Sequence, residues 1–340
     1  KPCMKLLLVT QNVDRTDPIL GFFHQWVEEF AKRTQGVTVI GQQVGEHEFG
    51  SNVIIESLEK EKGRRLWAQV LRSYQLFWKH RHQYDVVMVH MTPIWIIIGA
   101  PLWILLRKRM YLWYEVKRGS WKLTIAMKLV RKVFAATEHG IPHASKKLVV
   151  IGHGIDTDFF AQSAAHTEGP VVTLGRVTRI KNYDVILRCF AELPQEMRLF
   201  IAGGIVTDSD RLEEKRLQNL AGELGIADRV EYSWVAPDMV PGVLQGASLF
   251  LHASQGGLDK AILQAMSCGC PCVSSSVAAQ KDLPVQCRSS ESTMATVAKA
   301  LLEMPQEDRN DLSDELHDIV ETRHSLPNCI DRLVVEMKAK

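Results

Sequence analysis

The sequence predicts an α/β chain of two tandem Rossmann-like, doubly wound parallel sheets. Three observations predict it. Short apolar runs rich in β-branched residues alternate with longer amphipathic stretches. The runs are continuously apolar, as strands covered on both faces must be. The alternation stops at Gly152-His153-Gly154 and restarts at Val171, dividing 340 residues into two parts of ordinary domain size.

In the first part the strand candidates are Met4–Thr10, Val37–Gly41, Val53–Ser57, Asp85–His90, Met110–Glu115, Val133–Thr137 and Leu148–Ile151. Helical periodicity fills the gaps at Leu20–Thr34, Lys62–His82, Pro93–Lys108 and Trp121–Lys132. After the break, strands are expected at Val171–Leu174, Arg198–Ala202, Val230–Trp234, Leu249–Ala253 and Cys272–Ser275. Helices are expected from Asn182 and over Asp208–Leu224, Met239–Gln245 and Lys260–Cys268, then Ser292–Glu303, Gln306–Thr322 and Pro327–Lys338. The domain division expected is 1–152, 153–324 and a C-terminal helical segment 325–340 that packs back toward the first domain.

Composition narrows the class. The chain is 46% hydrophobic and 24% charged with mean hydropathy −0.07, a globular composition. Its longest apolar run, Ile94–Leu106, has 13 residues with Gly99 and Pro101 inside, against the roughly 20 a spanning helix needs. Seven scattered cysteines suit a reducing compartment better than a disulfide scaffold, so a cytoplasmic protein without a leader is expected. The net charge of +2 conceals an asymmetry: residues 1–150 hold 23 Lys and Arg against 12 Asp and Glu, the rest 18 against 27. The two halves are expected to meet different partners.

In open α/β sheets ligands bind beyond the carboxyl ends of the strands. Four loops qualify in the second half: Gly175-Arg176 with Lys181 following, Gly203-Gly204, Val235-Ala236-Pro237, and Ser254 to Lys260 (SQGGLDK) opening a helix. Glycine lets backbone approach a ligand, a helix N-terminus offers free N–H groups, and Arg176 and Lys181 add cations. The set suits a diphosphate.

The same residues resemble a known family. Gly175-Arg176 with Lys181-Asn182, LFIAGG (199–204), GASLFLHAS (246–254) and GLDKAILQAMSCGCPCV (257–273) are similar to the donor domain of glycosyltransferase family 4. GHGIDTDFF (152–160) resembles the stretch after its acceptor domain. The resemblance implies the GT-B architecture with an interdomain cleft and retaining transfer from a nucleotide-diphosphate sugar. Domain closure about the Gly152–Gly154 crossing and the C-terminal segment is expected to assemble the site. The resemblance places Arg176 and Lys181 on the donor diphosphate and the turn amides of Gly256, Gly257 and Leu258 beside it. Family members carry two Glu eight positions apart where this chain has Gly256 and Gln264. Asp259 is then the substitute for sugar contact, Gln264 a ribose hydrogen-bonding partner, and Lys260 a further phosphate contact. Gly175, Gly203, Gly204, Val235 and Ser254 complete the donor set, with Gly21 approaching the phosphates from the first domain.

Retaining transfer mainly requires the departing diphosphate to be stabilised, which Arg176, Lys181 and helix dipoles do without a metal. No metal or other cofactor is expected. If a base is needed, His90 and Glu115 are the candidates; His90 is also counted as catalytic, and His153 is an acceptor-side candidate that could equally satisfy backbone. Cys268, Cys270 and Cys272 lack metal-site spacing and read as packing.

The expected acceptor is a glycan or a lipid-linked glycan in cell-surface polysaccharide synthesis. Ile94–Leu106 with Arg107-Lys108-Arg109 reads either as a buried helix or as a membrane-facing one. So do Lys117, Arg118, Lys122, Lys128, Arg131 and Lys132 among Trp113, Trp121 and Leu123. Peripheral contact with an anionic membrane is the favoured reading. Nucleic acid is not an expected partner, since the basic half lacks RNA-module aromatics. A non-catalytic sugar-nucleotide binder and a sugar-nucleotide epimerase remain as alternatives.

Overall fold

The computed structural model describes residues 4–17, 20–116, 119–142, 145–163 and 168–339; Lys117 and Arg118 of the basic run lie outside them. The chain forms two compact units, Lys1–Gly154 with Leu326–Lys340, and Ile155–Ser325.

The first unit is a seven-stranded sheet. Its strands are β1 (Lys5–Val13), β2 (Gly36–Val44), β3 (Val53–Ser57), β4 (Val86–His90), β5 (Arg109–Trp113), β6 (Lys132–Ala135) and β7 (Leu148–Val150), in the order β3-β2-β1-β4-β5-β6-β7. Every pairing is parallel. Alternate residues of a strand point to opposite faces, and both faces are covered. Leu6 and Leu8 pack beneath α1 (Phe22–Arg33), whereas Leu7 and Val9 face α2 (Leu66–Lys79), α3 (Pro93–Leu105) and α4 (Trp121–Leu129). All four leucine and valine side chains are fully buried.

The C-terminal helix α11 (Leu326–Lys338) belongs to this unit and packs on α1. Cys329, Ile330, Leu333 and Met337 form its buried face. Arg33 on α1 reaches Asp331 at 2.6 Å, and Arg332 donates to the Ile151 carbonyl at 2.9 Å.

The second unit repeats the plan with five parallel strands, β8 (Val171–Leu174), β9 (Leu199–Ala202), β10 (Val230–Ser233), β11 (Leu249–His252) and β12 (Cys272–Ser274), ordered β10-β9-β8-β11-β12. Its helices are α5 (Tyr183–Ala191), α6 (Asp208–Glu223), α7 (Val240–Gln245), α8 (Lys260–Ser267), α9 (Met294–Leu302) and α10 (Gln306–His324). Cys268, Cys270 and Cys272 are buried free thiols within its apolar core, and burial pushes all three thiols up. For Cys272 its hydrogen bond with Cys287 acts first and burial second.

Both sheets therefore carry the doubly wound order expected, with strand limits displaced by at most three residues. The departures are at strand ends: β1 and β2 pair on to Val13 and Val44, whereas β5, β6, β7, β10, β11 and β12 stop one or two residues before the expected end.

Candidate functional site

The winding of the second sheet reverses between β8 and β11, which are neighbours though far apart in sequence. Chain leaving two such strands diverges, so the carboxyl ends of β8 and β11 open a crevice. The predicted loops lie along this edge.

The turn after β8 is fixed by three contacts. Gly175 has φ +136°, a conformation L side chains rarely adopt, and a Cβ there would stand 2.5 Å from Lys181 Nζ. Its N–H donates to the Ala202 carbonyl at 3.0 Å, and the Tyr183 hydroxyl donates to its carbonyl at 2.7 Å. Burial pushes that hydroxyl far above its ordinary range. Gly203 is required by close approach, since its Cβ would lie 2.3 Å from the Gly175 carbonyl oxygen. The Val177 N–H donates to the Gly204 carbonyl, tying the β8 and β9 turns together.

Lys181 ends the short turn 179–181 that precedes α5, and its ammonium pairs with Asp259. Asp259 is the N-cap of α8, where its Oδ1 accepts the Ala261 N–H at 3.2 Å. His252, at the end of β11, stands 3.5 Å from the same carboxylate and bonds Ser274 Oγ through Nδ1 at 2.8 Å. Burial alone raises the Asp259 pKa, but Lys181 and His252 outweigh it and hold the carboxyl well below the usual range. A cap, a lysine and a histidine thus already occupy Asp259. The carboxylate sets the position of Lys181, and its side chain is only 17% exposed.

Arg176 has a half-exposed side chain whose Nε lies 3.5 Å from Asp210. Asp210 closes a capping box with Thr207 at the start of α6 and accepts the Val206 and Thr207 N–H groups at 3.0 Å. Arg176 is therefore aimed along the sheet edge but keeps guanidinium N–H groups for a ligand.

The loop after β11 is pinned to the first by Gln255, whose N–H donates to the Ile180 carbonyl at 2.9 Å. Ser254 is buried and accepts the Gly256 N–H at 3.4 Å. Gly256 and Gly257 are partly exposed. Leu258 is buried in the core, so only its backbone faces this edge. Lys260 and Gln264 lie one turn apart on α8 and are partly exposed on a helix otherwise buried.

Sequence reading passed over Trp234, one residue before the predicted Val235. Trp234 is 62% exposed, and a Cβ on Gly204 would meet its ring at 3.1 Å. Val235 beside it is partly buried. The available signal was a tryptophan at the last position of an expected strand, on the carboxyl edge.

The remaining predicted residues lie in the first unit. His90 ends β4, is 2% exposed, and sits in an aromatic cluster with Phe23 at a 4.5 Å ring separation and Trp26 at 6.0 Å. Its Nδ1 meets Thr10 Oγ1 at 3.3 Å. The Glu115 carboxylate accepts the Ala136 N–H at 2.6 Å and fills the space a Gly140 Cβ would need. His153 is buried between Gly152 (φ +97°) and Gly154 (φ +67°). Gly21 starts α1, and a Cβ on it would meet the Asp17 carbonyl oxygen at 2.6 Å. Among the described residues no three His, Cys, Asp or Glu side chains gather as metal ligands.

Residues 168–317, nearly the whole second unit, match the family glycosyl transferases group 1. Over that span the second unit resembles a group 1 glycosyltransferase domain. The chain is similar to D-inositol 3-phosphate glycosyltransferase of Mycobacterium sp. (strain JLS), 30% identical over 206 residues that cover 57% of this chain and 43% of that protein. The Mycolicibacterium gilvum (strain PYR-GCK) protein of the same name is 36% identical over 124 residues, 35% of this chain and 26% of its own. The chain thus spans less than half of the curated relatives it matches. In fold it is similar to HepE from Anabaena, solved with UDP and glucose (TM-score 0.76, 16% identity, 99% of this chain and 100% of that one). It is also similar to sucrose-phosphate synthase from Thermosynechococcus elongatus (TM-score 0.75, 15% identity, 97% of each). The two-sheet GT-B architecture is common to them, and the second unit here has its glycine turns and cations on one edge of its sheet.

Proposed function

We propose that this chain is a retaining glycosyltransferase that moves a sugar from a nucleotide diphosphate to a glycan or lipid-linked acceptor in cell-surface polysaccharide assembly. The observation that carries the reading is the β8–β11 edge: two glycine turns that exclude side chains, a lysine held in place by a buried carboxylate, and a half-exposed arginine beside them. A diphosphate leaving the anomeric carbon develops charge that Lys181, Arg176 and the α8 amides meet without reorganising. The reading assigns that neutralisation to side chains and backbone, with the acceptor oxygen on the same face as the leaving group. It places the acceptor with the basic first unit. The UDP held by HepE favours a nucleotide-sugar donor here.

The test is Arg176→Ala. Its side chain is half exposed and its pair with Asp210 is long, so the fold is expected to keep its stability within about 0.5 kcal/mol. UDP affinity by calorimetry is expected to drop about tenfold or more, in line with loss of a charge-assisted hydrogen bond. Unchanged affinity would refute the assignment. The non-catalytic alternative draws on Gly256 and Gln264, which leave the edge without the usual glutamates. UDP binding with neither donor hydrolysis nor transfer would favour it.

A further inference from the structure

The first unit carries a surface that donor chemistry does not use. Helix α3 lies between α2 and α4 on one face of the sheet and has no polar side chain along its length. Trp95, Ile96 and Trp103 turn inward, while the opposite flank, Ile94, Ile97, Pro101, Ile104 and Leu105, is partly or fully exposed. Its 13 residues extend about 20 Å, short of the roughly 30 Å of a hydrocarbon core. No helix among the described residues is long and apolar enough to cross a membrane.

Beside it, α2 has two apolar faces. Leu76 and Phe77 pack inward with Gln69 and Ser73. Trp67, Leu71, Tyr74 and Trp78 recur at i, i+4, i+7 and i+11 and are 65, 58, 36 and 51% exposed. The Tyr74 hydroxyl donates to the Ile98 carbonyl at 2.6 Å, joining this stripe to α3. On α4, Trp121 and Ile125 extend the apolar surface.

Cations surround it. From Lys62 to Thr137 the sequence has 15 Lys and Arg against Asp85 and Glu115; of these Lys62, Arg64 and Arg72 pair with Glu59 and Lys79 with Glu56, and Glu115 accepts the Ala136 N–H. Arg81 lies over the Trp78 ring at 4.4 Å and Lys122 over Trp121 at 5.8 Å. Arg65, Arg107, Lys128 and Arg131 are exposed. Several cations expected at a membrane are engaged elsewhere: Lys108 donates to the Arg81 and Tyr84 carbonyls, and Lys132 pairs with Glu336. Trp113 and Leu123, expected there too, are buried.

We propose that the α2–α3–α4 face docks flat on an anionic lipid bilayer, with the α2 and α4 indoles at headgroup depth and the rim cations on lipid phosphates. Indole and phenol rings bordered by Lys and Arg around an aliphatic centre are the composition of the bilayer interface. A second copy of the chain is disfavoured, because a two-fold contact through this face would press two identical cationic rims together. The surface stands on its own residues and does not rest on the transferase reading.

The full chain is to be sedimented with phosphatidylcholine vesicles, with and without phosphatidylglycerol, and in parallel tested for UDP binding. Binding is expected to the anionic vesicles at low salt, with a blue-shifted tryptophan emission, and to vanish in high salt and on pure phosphatidylcholine. The double variant Leu71→Glu/Ile104→Glu, both sites exposed, is expected to keep its thermal midpoint and UDP affinity while vesicle binding falls at least about tenfold. Absence of wild-type binding to anionic vesicles overturns the proposal, as does a double variant that binds like wild type. Concentration-dependent dimerisation abolished by the double variant would also overturn it, assigning the face to a second copy.

Discussion

The two sheets share a topology and treat its consequence in opposite ways. Each reverses its winding once, between β1 and β4 in the first unit and between β8 and β11 in the second. In the first, the end of β4 is plugged: His90 lies beneath Phe22 and Phe23 and against Trp26. In the second, glycine turns and charged side chains line the corresponding edge, with Lys181 and Asp259 paired and Arg176 half exposed. Topology supplies the crevice and side chains decide whether it stays open, which is why a shared fold does not carry function by itself.

The sharpest way to break that contrast is to uncouple Lys181 from Asp259. Lys181→Met leaves a largely buried carboxylate without its cation and is expected to cost about 3 kcal/mol, the low end for breaking such a pair because both side chains stay 17% exposed. Denaturant unfolding measures it, and Lys181→Met/Asp259→Asn is expected to recover more than half of the loss. The pair also sets an acid limb. Because the folded Asp259 pKa is depressed, its stabilisation is complete above the free value of about 3.9 and fades as pH falls below it. Wild type is expected to lose stability between about pH 4 and pH 2 more steeply than Asp259→Asn. Parallel acid profiles for the two proteins would show that the carboxylate carries no such coupling.

A smaller effect is expected at the plugged edge. His90→Leu keeps volume and apolar contacts but removes the partner of Thr10, for a cost of about 1 kcal/mol. Transfer rate is expected to stay within about twofold, since a side chain 2% exposed among rings has no route to a substrate oxygen. A fall in kcat of a hundredfold at that small stability cost would move His90 from packing into the reaction.

The contrast also marks what could be read in advance. Strand positions and nearly every helix were legible, because parallel strands buried on both faces leave continuous apolar runs such as Val86–His90. The Gly175 and Gly203 turns were legible because glycine at a strand end has few other uses. The Lys181–Asp259 pair was not, since nothing local links residues 78 positions apart. The outer stripe of α2 was hidden for another reason: Trp67, Leu71, Tyr74 and Trp78 have the spacing of a buried face, and only the packing of Leu76 and Phe77 shows which face the sheet takes.

The smallest structural effect, and the most informative for chemistry, is expected at Gly256. Unlike Gly175, its φ lies outside the left-handed region, and a Cβ there would meet Ile180 Cδ1 and Ser254 Oγ at 3.5 Å, ordinary contact distance. Nothing steric in the fold demands glycine at this position. Gly256→Glu is therefore expected to leave unfolding free energy within about 0.5 kcal/mol of wild type. The new carboxylate would stand in the loop after β11, where Asp259 is already committed to Lys181. If that loop faces the donor sugar, as the family resemblance implies, a charge-assisted hydrogen bond made there raises transfer about tenfold while UDP affinity, which reports the phosphates, stays level. A variant that folds, binds UDP as wild type and shows no gain in transfer would place the sugar away from this loop.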